Sequence, residues 1–134
     1  MTTYKFSEMH LFTDKVMNRV DLIVKESAQR VGLGVKYRTR RDTGFLRASW
    51  LASTASMPLI DRNARPEKGA LYQDNDSQIA LVIAGATLGQ PIFFGFTAGY
   101  ADIREYHDGM VRLEAQRWGA IVSEVVAEAK ARYP

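Results

Sequence analysis

The sequence predicts an α+β fold in which a long N-terminal helix and a C-terminal helix pack on one face of a small, mainly antiparallel sheet. Two observations favour this class. Apolar residues recur at helical spacing near both ends of the chain, and short β-branched or aromatic runs bounded by turn residues lie between them. With 134 residues, the chain suffices for one hydrophobic core and is too short for two, so we expect a single domain over residues 1–134.

The first helix is expected over residues 7–31. Its apolar side chains recur every three or four positions, which places them on one stripe: Met9, Phe12, Val16, Val20, Ile23 and Val31. Ser7 is a candidate cap for the first backbone amides. Gly32 and Gly34 are expected to end the helix, because glycine adopts the backbone conformations on which helices commonly stop.

The central part is expected to hold the strands. A turn at Gly44 leads into a strand over residues 45–52, and two further apolar runs predict central strands over residues 78–84 and 91–96. Residues 53–77 contain two prolines and many polar residues, which predicts a long loop or hairpin excursion. Long loops in compact domains are usually functional or mobile.

The last helix is expected from Leu113 onward. Its apolar positions follow helical spacing, and charged residues occupy the other side. The apolar set is Trp118, Ile121, Val122, Val125 and Ala129, and the charged set is Glu114, Arg117, Glu124, Glu128 and Lys130.

The composition excludes several classes of protein. A 46% hydrophobic content argues against a wholly disordered chain, and the absence of cysteine excludes disulfides and thiolate-bound zinc. The first residues lack the pattern of a signal peptide, and no window approaches the roughly 20 uncharged apolar residues of a membrane span. We therefore expect a protein made and kept in a cytoplasm. The 18 basic and 15 acidic residues nearly balance, so nucleic-acid binding would require local clustering.

The triplet Asp42-Thr43-Gly44 is the strongest candidate for catalysis. Such a triplet occurs in aspartic proteases, where a dimer brings two carboxylates together to share a proton. Here Arg40 and Arg41 directly precede the aspartate, and neighbouring positive charges would depress the pKa that this chemistry requires. A turn before a strand is the favoured interpretation.

Other patterns also favour structure over chemistry. The sequence Gly85-Ala-Thr-Leu-Gly lacks the lysine and hydroxyl residue of a phosphate-binding loop. The two histidines, His10 and His107, are far apart in sequence, and a metal site would need carboxylates converging on them. We expect no catalytic, cofactor or metal site.

A basic segment lies between the first helix and the turn. Lys36, Arg38, Arg40 and Arg41 would share one face if the segment were extended. One interpretation is a phosphate-binding or nucleic-acid-binding surface. The favoured alternative is a solvated face or a salt-bridging rim between subunits, because only Tyr37 supplies an aromatic ring for base stacking.

Two sequence motifs carry a family resemblance. The first, residues 41–50, reads Arg-Asp-Thr-Gly-Phe-Leu-Arg-Ala-Ser-Trp and follows the first helix. The second combines Tyr100-Ala101 with Glu105-Tyr106 and continues as Gly-Met-Val-Arg over residues 109–112. In this order, they resemble the signature of the neck and tail-completion proteins of siphovirus-type bacteriophages, also described as minor tail or head–tail joining proteins. The motif residues are Asp42, Thr43, Gly44, Leu46, Arg47, Trp50, Tyr100, Ala101, Glu105, Tyr106, Gly109, Met110 and Arg112.

The resemblance implies a structural role without catalysis. Its members assemble between head and tail, so we expect a homo-oligomeric ring, a hexamer or dodecamer, in the neck or at the top of the tail. The implied partners are the connector, the tail terminator and the tail tube, and DNA would pass through the lumen. The protein would be made in the host bacterial cytoplasm and end in the virion, with no small-molecule substrate and no membrane contact.

Two hypotheses concern particular side chains. In the expected strand, Leu46, Ala48 and Trp50 would share one face, and Arg47 on the other would pair with Glu105. Contacts with neighbouring subunits are expected from charged residues of the basic segment and the excursion, namely Lys36, Arg38, Arg40, Arg41, Asp61, Arg62 and Arg65.

Overall fold

The computed structural model describes the backbone of residues 6–132 and the side chains of residues 11–132 except Phe12. The fold class is α+β, as predicted, with long helices at both ends and a two-stranded antiparallel sheet. In chain order the elements are α1 (Phe6–Arg38), α2 (Phe45–Ala48), β1 (Trp50–Ser53), α3 (Asp76–Gly85), β2 (Phe93–Phe96), α4 (Ala101–Asp108), α5 (Met110–Ala115) and α6 (Trp118–Arg132). Among the described residues, no helix is both long and apolar enough to cross a membrane.

The predicted end of the first helix was wrong. Helix α1 continues through Gly32 and Gly34 to Arg38. Both glycines make room for other elements: a Cβ at Gly32 would lie 3.0 Å from the Phe94 ring, and one at Gly34 would meet the Glu114 carboxylate. Tertiary packing therefore outweighs the low helix propensity of glycine here. The proposed cap Ser7 and the stripe residues Met9 and Phe12 lie outside the side chains that the structure describes.

The predicted strand over residues 45–52 is a strand only in its second half. Gly44 has a φ of 86°, and the chain then forms the helical turn α2, in which the N–H of Ala48 donates to the carbonyl of Gly44 at 2.9 Å. Leu46 is buried by this turn. The sheet begins at Trp50, which lies opposite Phe96.

The prediction of a strand over residues 78–84 was wrong, because this run is helix α3. Ile79 and Ile83, four positions apart, are the residues it buries. Gln78 points to the sheet: its amide group donates to the carbonyl of Ala52 at 2.7 Å and accepts from the Ala52 N–H at 3.2 Å. A short run of β-branched residues is compatible with either a strand or a buried helix. In the folded chain, this run packs as a helix. The strand expected within residues 91–96 is confirmed as β2.

The core lies between α1 and the sheet. Trp50 is almost fully buried and its indole N–H donates to the carbonyl of Gly32 at 3.1 Å. Its ring stacks on Phe94, with centroids 5.3 Å apart, and contacts Phe96. This aromatic cluster joins the sheet to the second half of α1.

The C-terminal helical region is interrupted. Helix α5 ends at Ala115, and α6 begins at Trp118, whose side chain is exposed although the sequence placed it on the apolar stripe. Helix α6 packs along α1 through the buried Ile121 and Val125.

A long connection without helix or strand joins β1 to α3 over residues 54–75. It lies against β2 and α4 and does not project freely. The Asp61 N–H donates to Thr97 at 3.0 Å, and Arg62 pairs with Asp102 at 2.7 Å. This excursion is therefore anchored at its middle.

Candidate functional site

The first motif forms a turn that fixes the end of the excursion. Thr43 accepts a hydrogen bond from the Phe45 N–H at 3.3 Å, and its carbonyl accepts one from Tyr72 at 3.0 Å. The carbonyl of Tyr72 also occupies the place that a Cβ at Gly44 would take. Asp42 is exposed, and no described backbone amide donates to its carboxylate, so the predicted share of Asp42 in holding the turn is not observed.

The hypothesis that Arg47 pairs with Glu105 was wrong. Arg47 stands on a helical turn, so its guanidinium reaches back to the end of α1 and donates to the carbonyl of Thr39 at 2.9 Å. Glu105 instead accepts hydrogen bonds from the backbone N–H groups of Val111, at 2.8 Å, and Arg112, at 2.9 Å. Arg47 thus stabilises the junction between α1 and α2, and Glu105 the junction between α4 and α5.

The second motif builds the junction between α4 and α5. Ala101 and Met110 are core residues, and Gly109 connects the two helices with a φ of 64°. Tyr106 is largely exposed, and Arg112 is exposed beside Gly109. The motif therefore combines buried residues with one aromatic side chain, Tyr106, that is largely exposed and contacts the ring of His107.

Tyr100 joins the two motifs. Its ring lies 6.2 Å from that of Phe45, and the Arg65 guanidinium lies 5.9 Å from its centre. Burial, and to a smaller degree the charge of Asp42, raise the pKa of the Tyr100 hydroxyl above its usual value, while the charge of Arg65 opposes this.

A cavity of about 430 Å³ lies where the motifs meet. Two arginines stand at this cavity: Arg40 pairs with Asp108 at 3.1 Å, and Arg104 lies 3.8 Å from the same carboxylate. The lining comprises Arg40, Asp42, Thr43, Gly44, Phe45, Leu46, Pro66, Tyr100 and Arg104. Its one uncompensated acid, Asp42, has no second carboxylate beside it, so the shared-proton chemistry of a protease dyad is not assembled within one chain.

The basic segment does not form the expected extended face. Lys36 and Arg38 lie in the last turn of α1, and Lys36 is buried between Asp74, at 3.1 Å, and Asp76, at 3.0 Å. Burial lowers the pKa of Lys36, but the two carboxylates more than offset it, so the pKa is raised. Arg38 pairs with Glu114 at 2.7 Å. Both cations thus pair with carboxylates of the same chain, Lys36 in a buried position and Arg38 in an exposed one.

The outer half of α1, residues 11–24, exposes apolar side chains over much of its length. The helix spans about 50 Å for its 33 residues. A pocket between α1 and the end of α6 is lined on the α1 side by Leu22, Ile23 and Glu26. Six of its apolar side chains are between 41% and 67% exposed: Leu11, Val16, Met17, Val20, Leu22 and Val24.

The two edges of the sheet differ. Because Thr97 donates to the carbonyl of Ser49, the alternation of antiparallel pairing directs the N–H and C=O groups of Phe94 and Phe96 away from β1. On the opposite edge, Ala52 is paired with Gln78. No described residue pairs with Phe94 or Phe96 at their edge. These backbone groups of β2 thus have no backbone partner among the described residues, although Phe96 is only 7% exposed.

An apolar groove of about 390 Å³ runs beside this free edge. Its lining is Trp50, Met57, Pro58, Leu59, Ile60, Phe94, Gly95, Phe96, Ala101, Asp102, Glu105 and Val111. The only ionisable members are the two acids Asp102 and Glu105. A hydrogen bond from Arg62 lowers the pKa of Asp102 below its ordinary value, and the Arg62 guanidinium lies 2.7 Å from this carboxylate.

Sequence reasoning missed the groove and the free edge. The run Phe-Phe-Gly-Phe over residues 93–96 marks a strand, but which edge of it stays unpaired depends on the position of α3. No group of three or more His, Cys, Asp or Glu side chains suited to a metal ion occurs in the described part of the chain.

Comparison with known proteins gives no assignment. No family model, no curated protein and no solved structure matches the chain significantly.

Proposed function

We propose that this chain is a self-assembling structural protein of a long-tailed bacteriophage, placed as a ring in the neck or at the top of the tail, with no reaction to catalyse. The proposal rests mainly on the outer half of α1. Its apolar side chains are exposed because this part of the helix projects beyond the other elements. Large exposed apolar surfaces on a folded chain mark interaction sites.

The accessible surface of the chain is larger than that expected for a compact monomer of the same mass. The chain has an accessible surface of 9187 Å², whereas a compact monomer of 15.1 kDa is expected to expose about 7,100 Å². The excess is about 2,100 Å² on this scale. A stable interface takes about 800 Å² from each partner, and a ring subunit has two such interfaces. An elongated chain exposes more surface than a compact one, so the excess leaves room for the two interfaces of a ring subunit without requiring them.

The placement of this ring in a phage particle rests on the two motifs. The structure makes them the two junctions around Tyr100, and both hold the excursion in place. Of the charged residues expected at interfaces, Asp61, Arg62 and Arg65 are exposed on that excursion. A neck subunit needs such a surface in addition to its ring contacts, because it also meets proteins above and below it.

The assembly part of the proposal is tested with the full chain in solution. We expect light scattering and sedimentation to show an oligomer, and the double change Val16→Asp with Val20→Asp to give monomers with an unchanged helical spectrum. Leu81→Asp is the matched control, because Leu81 is 75% exposed on α3 and outside these surfaces. A wild-type chain that stays monomeric at high concentration would contradict self-assembly.

The placement in a virion needs a separate experiment. Mass spectrometry of purified particles made by the parent genome should detect the polypeptide in a fixed number of copies. Complete, infectious particles that lack it would refute the placement, whatever the oligomeric state.

A nucleic-acid-binding module is the second candidate. It is favoured by Arg41, which is exposed with no ion-pair partner among the described residues, next to the largely exposed Arg40. Phosphate contacts would make retention on DNA fall steeply with salt. Retention that is lost in Arg40→Ala with Arg41→Ala, and kept in Arg117→Ala, would support this candidate.

A further inference from the structure

We propose that an arginine-rich surface at the C-terminal end of α1 binds the phosphate backbone of nucleic acid without reading its sequence. This arginine face comprises Arg38, Arg40, Arg41, Arg104, Arg112 and Arg117. The inference rests on the nucleic-acid-binding candidate, for which it names the site, and it is independent of self-assembly. The pairing, burial and net charge of these side chains support it.

Two carboxylates each hold a pair of these arginines. Glu114 of α5 receives Arg38 at 2.7 Å and Arg117 at 3.3 Å. Only 4% of the Glu114 side chain is exposed, whereas the two arginine side chains are 35% and 50% exposed. The negative charge therefore lies beneath the two positive charges, and this group presents a cationic surface to solvent.

The second group repeats this arrangement. Asp108 of α4 lies 3.1 Å from Arg40 and 3.8 Å from Arg104, with 12% of its side chain exposed. The Arg40 side chain above it is 71% exposed. The two groups are neighbours, because Arg38 and Arg40 are two residues apart and their Cα atoms are therefore at most about 7 Å apart.

The carboxylates leave the outer nitrogens of two guanidiniums available. Arg38 reaches Glu114, and Arg40 reaches Asp108, through Nε. The terminal Nη atoms of both side chains donate no hydrogen bond to a described residue. A guanidinium held in this way keeps two Nη groups that can fork onto a phosphate. Because its orientation is already fixed, less entropy is lost on binding.

The acids of this region do not balance its arginines. Arg41 and Arg112 are exposed and have no ion-pair partner among the described residues. Against the six arginines stand four acids: Asp42, Glu105, Asp108 and Glu114. The excess of two positive charges is most of the net charge of +3 on the whole chain. Such a concentration of charge attracts polyanions.

Nucleic acid is the polyanion that suits this surface. The excess charge is spread over six side chains, and a nucleic-acid backbone presents phosphates in a row that several guanidiniums can contact at once. Contacts to phosphates position a protein without reading bases. We therefore expect binding that depends strongly on salt and little on sequence.

The test uses the full chain and a labelled DNA duplex of about 30 bp, titrated at several salt concentrations by fluorescence anisotropy. Arg40→Gln with Arg41→Gln should weaken binding by about ten-fold to a hundred-fold and reduce the salt slope by about two, since each phosphate contact contributes about one. Lys130→Gln, an exposed cation of α6, is the matched control and should change neither.

A second variant should act in the opposite direction. Asp42→Asn removes a negative charge next to Arg41 and should strengthen duplex binding several-fold, an effect that a purely structural role of the face would not produce. Its unfolding midpoint is measured alongside, so that a change in stability is seen separately.

Three outcomes would overturn the inference. If the duplex binds but these variants equal the control, the nucleic-acid candidate stands and the arginine face is refuted. Displacement of the duplex by low concentrations of inorganic phosphate at constant ionic strength would show a site for a single anion. Binding of polyglutamate as tight as that of the duplex would indicate an acidic protein partner. If no salt-dependent binding is seen, the nucleic-acid candidate fails first, and self-assembly is unaffected.

Discussion

The two halves of α1 have the same helical pattern in sequence but opposite environments. In the inner half, Ser27, Ala28 and Val35 are buried beneath α6 and the aromatic cluster of the sheet. In the outer half, Val16 and Met17 are exposed by 41% and 50%. An amphipathic pattern in the sequence therefore does not show whether its apolar side chains are buried by the same chain.

The sheet repeats this contrast on a smaller scale. Its β1 edge is closed by Gln78 from the same chain, whereas its β2 edge has no partner among the described residues. The outer half of α1 is exposed, and the backbone groups of the β2 edge have no backbone partner among the described residues.

We expect a charge introduced into the inner half of α1 to destabilise the chain far more than the same charge in the outer half. Val35→Asp would place a carboxylate at a position that is 1% exposed and should cost about 4 kcal/mol or more of unfolding free energy. Val16→Asp, the same change in the outer half, should cost less than about 1 kcal/mol. Chemical denaturation at low protein concentration measures both. Equal losses would show that the outer half is covered within the monomer.

A smaller loss of stability is expected from removing the carboxylate that packs against the C-terminal end of α1. Glu114 is buried and receives Arg38 from α1 and Arg117 at 3.3 Å. Glu114→Ala should cost about 2 kcal/mol, because it removes the buried acceptor of two charge-assisted hydrogen bonds and leaves unfilled space beside α1. Glu124→Ala, on the exposed side of α6, should change stability by less than about 0.5 kcal/mol. Denaturant midpoints compare the pair, and similar values would contradict a structural role for Glu114.

The smallest effect lies near the boundary of the two halves, where Arg30 pairs with Glu128 of α6. This hydrogen bond lowers the pKa of Glu128 below its usual value of 4.5. The stabilisation is therefore fully present above pH 4.5 and is lost as the pH falls through the lower folded pKa. The Tm difference between wild type and Glu128→Gln should shrink on acidification. Glu67→Gln should show no such trend, and a constant difference for Glu128→Gln would contradict the assignment.

The candidate site was only partly predictable. The turn at Gly44 and the core role of Leu46 and Trp50 follow from residue types, and the structure contains both. The partners of Arg47 and Lys36 did not follow, because each depends on where α1 ends. Helix α1 ends six residues later than Gly32 suggested, since Phe94 and Glu114 pack against its glycines.

The pattern of residues along the chain was enough to predict the α+β class, a helix near each end, the β2 strand and the turn at Gly44. These depend on local periodicity and on backbone freedom, which neighbouring residues set. Three outcomes required the folded structure: residues 76–85 form a helix, Gln78 closes one sheet edge, and the outer half of α1 stays exposed. Those outcomes depend on which distant elements meet, and the spacing of residues along a chain does not encode that directly.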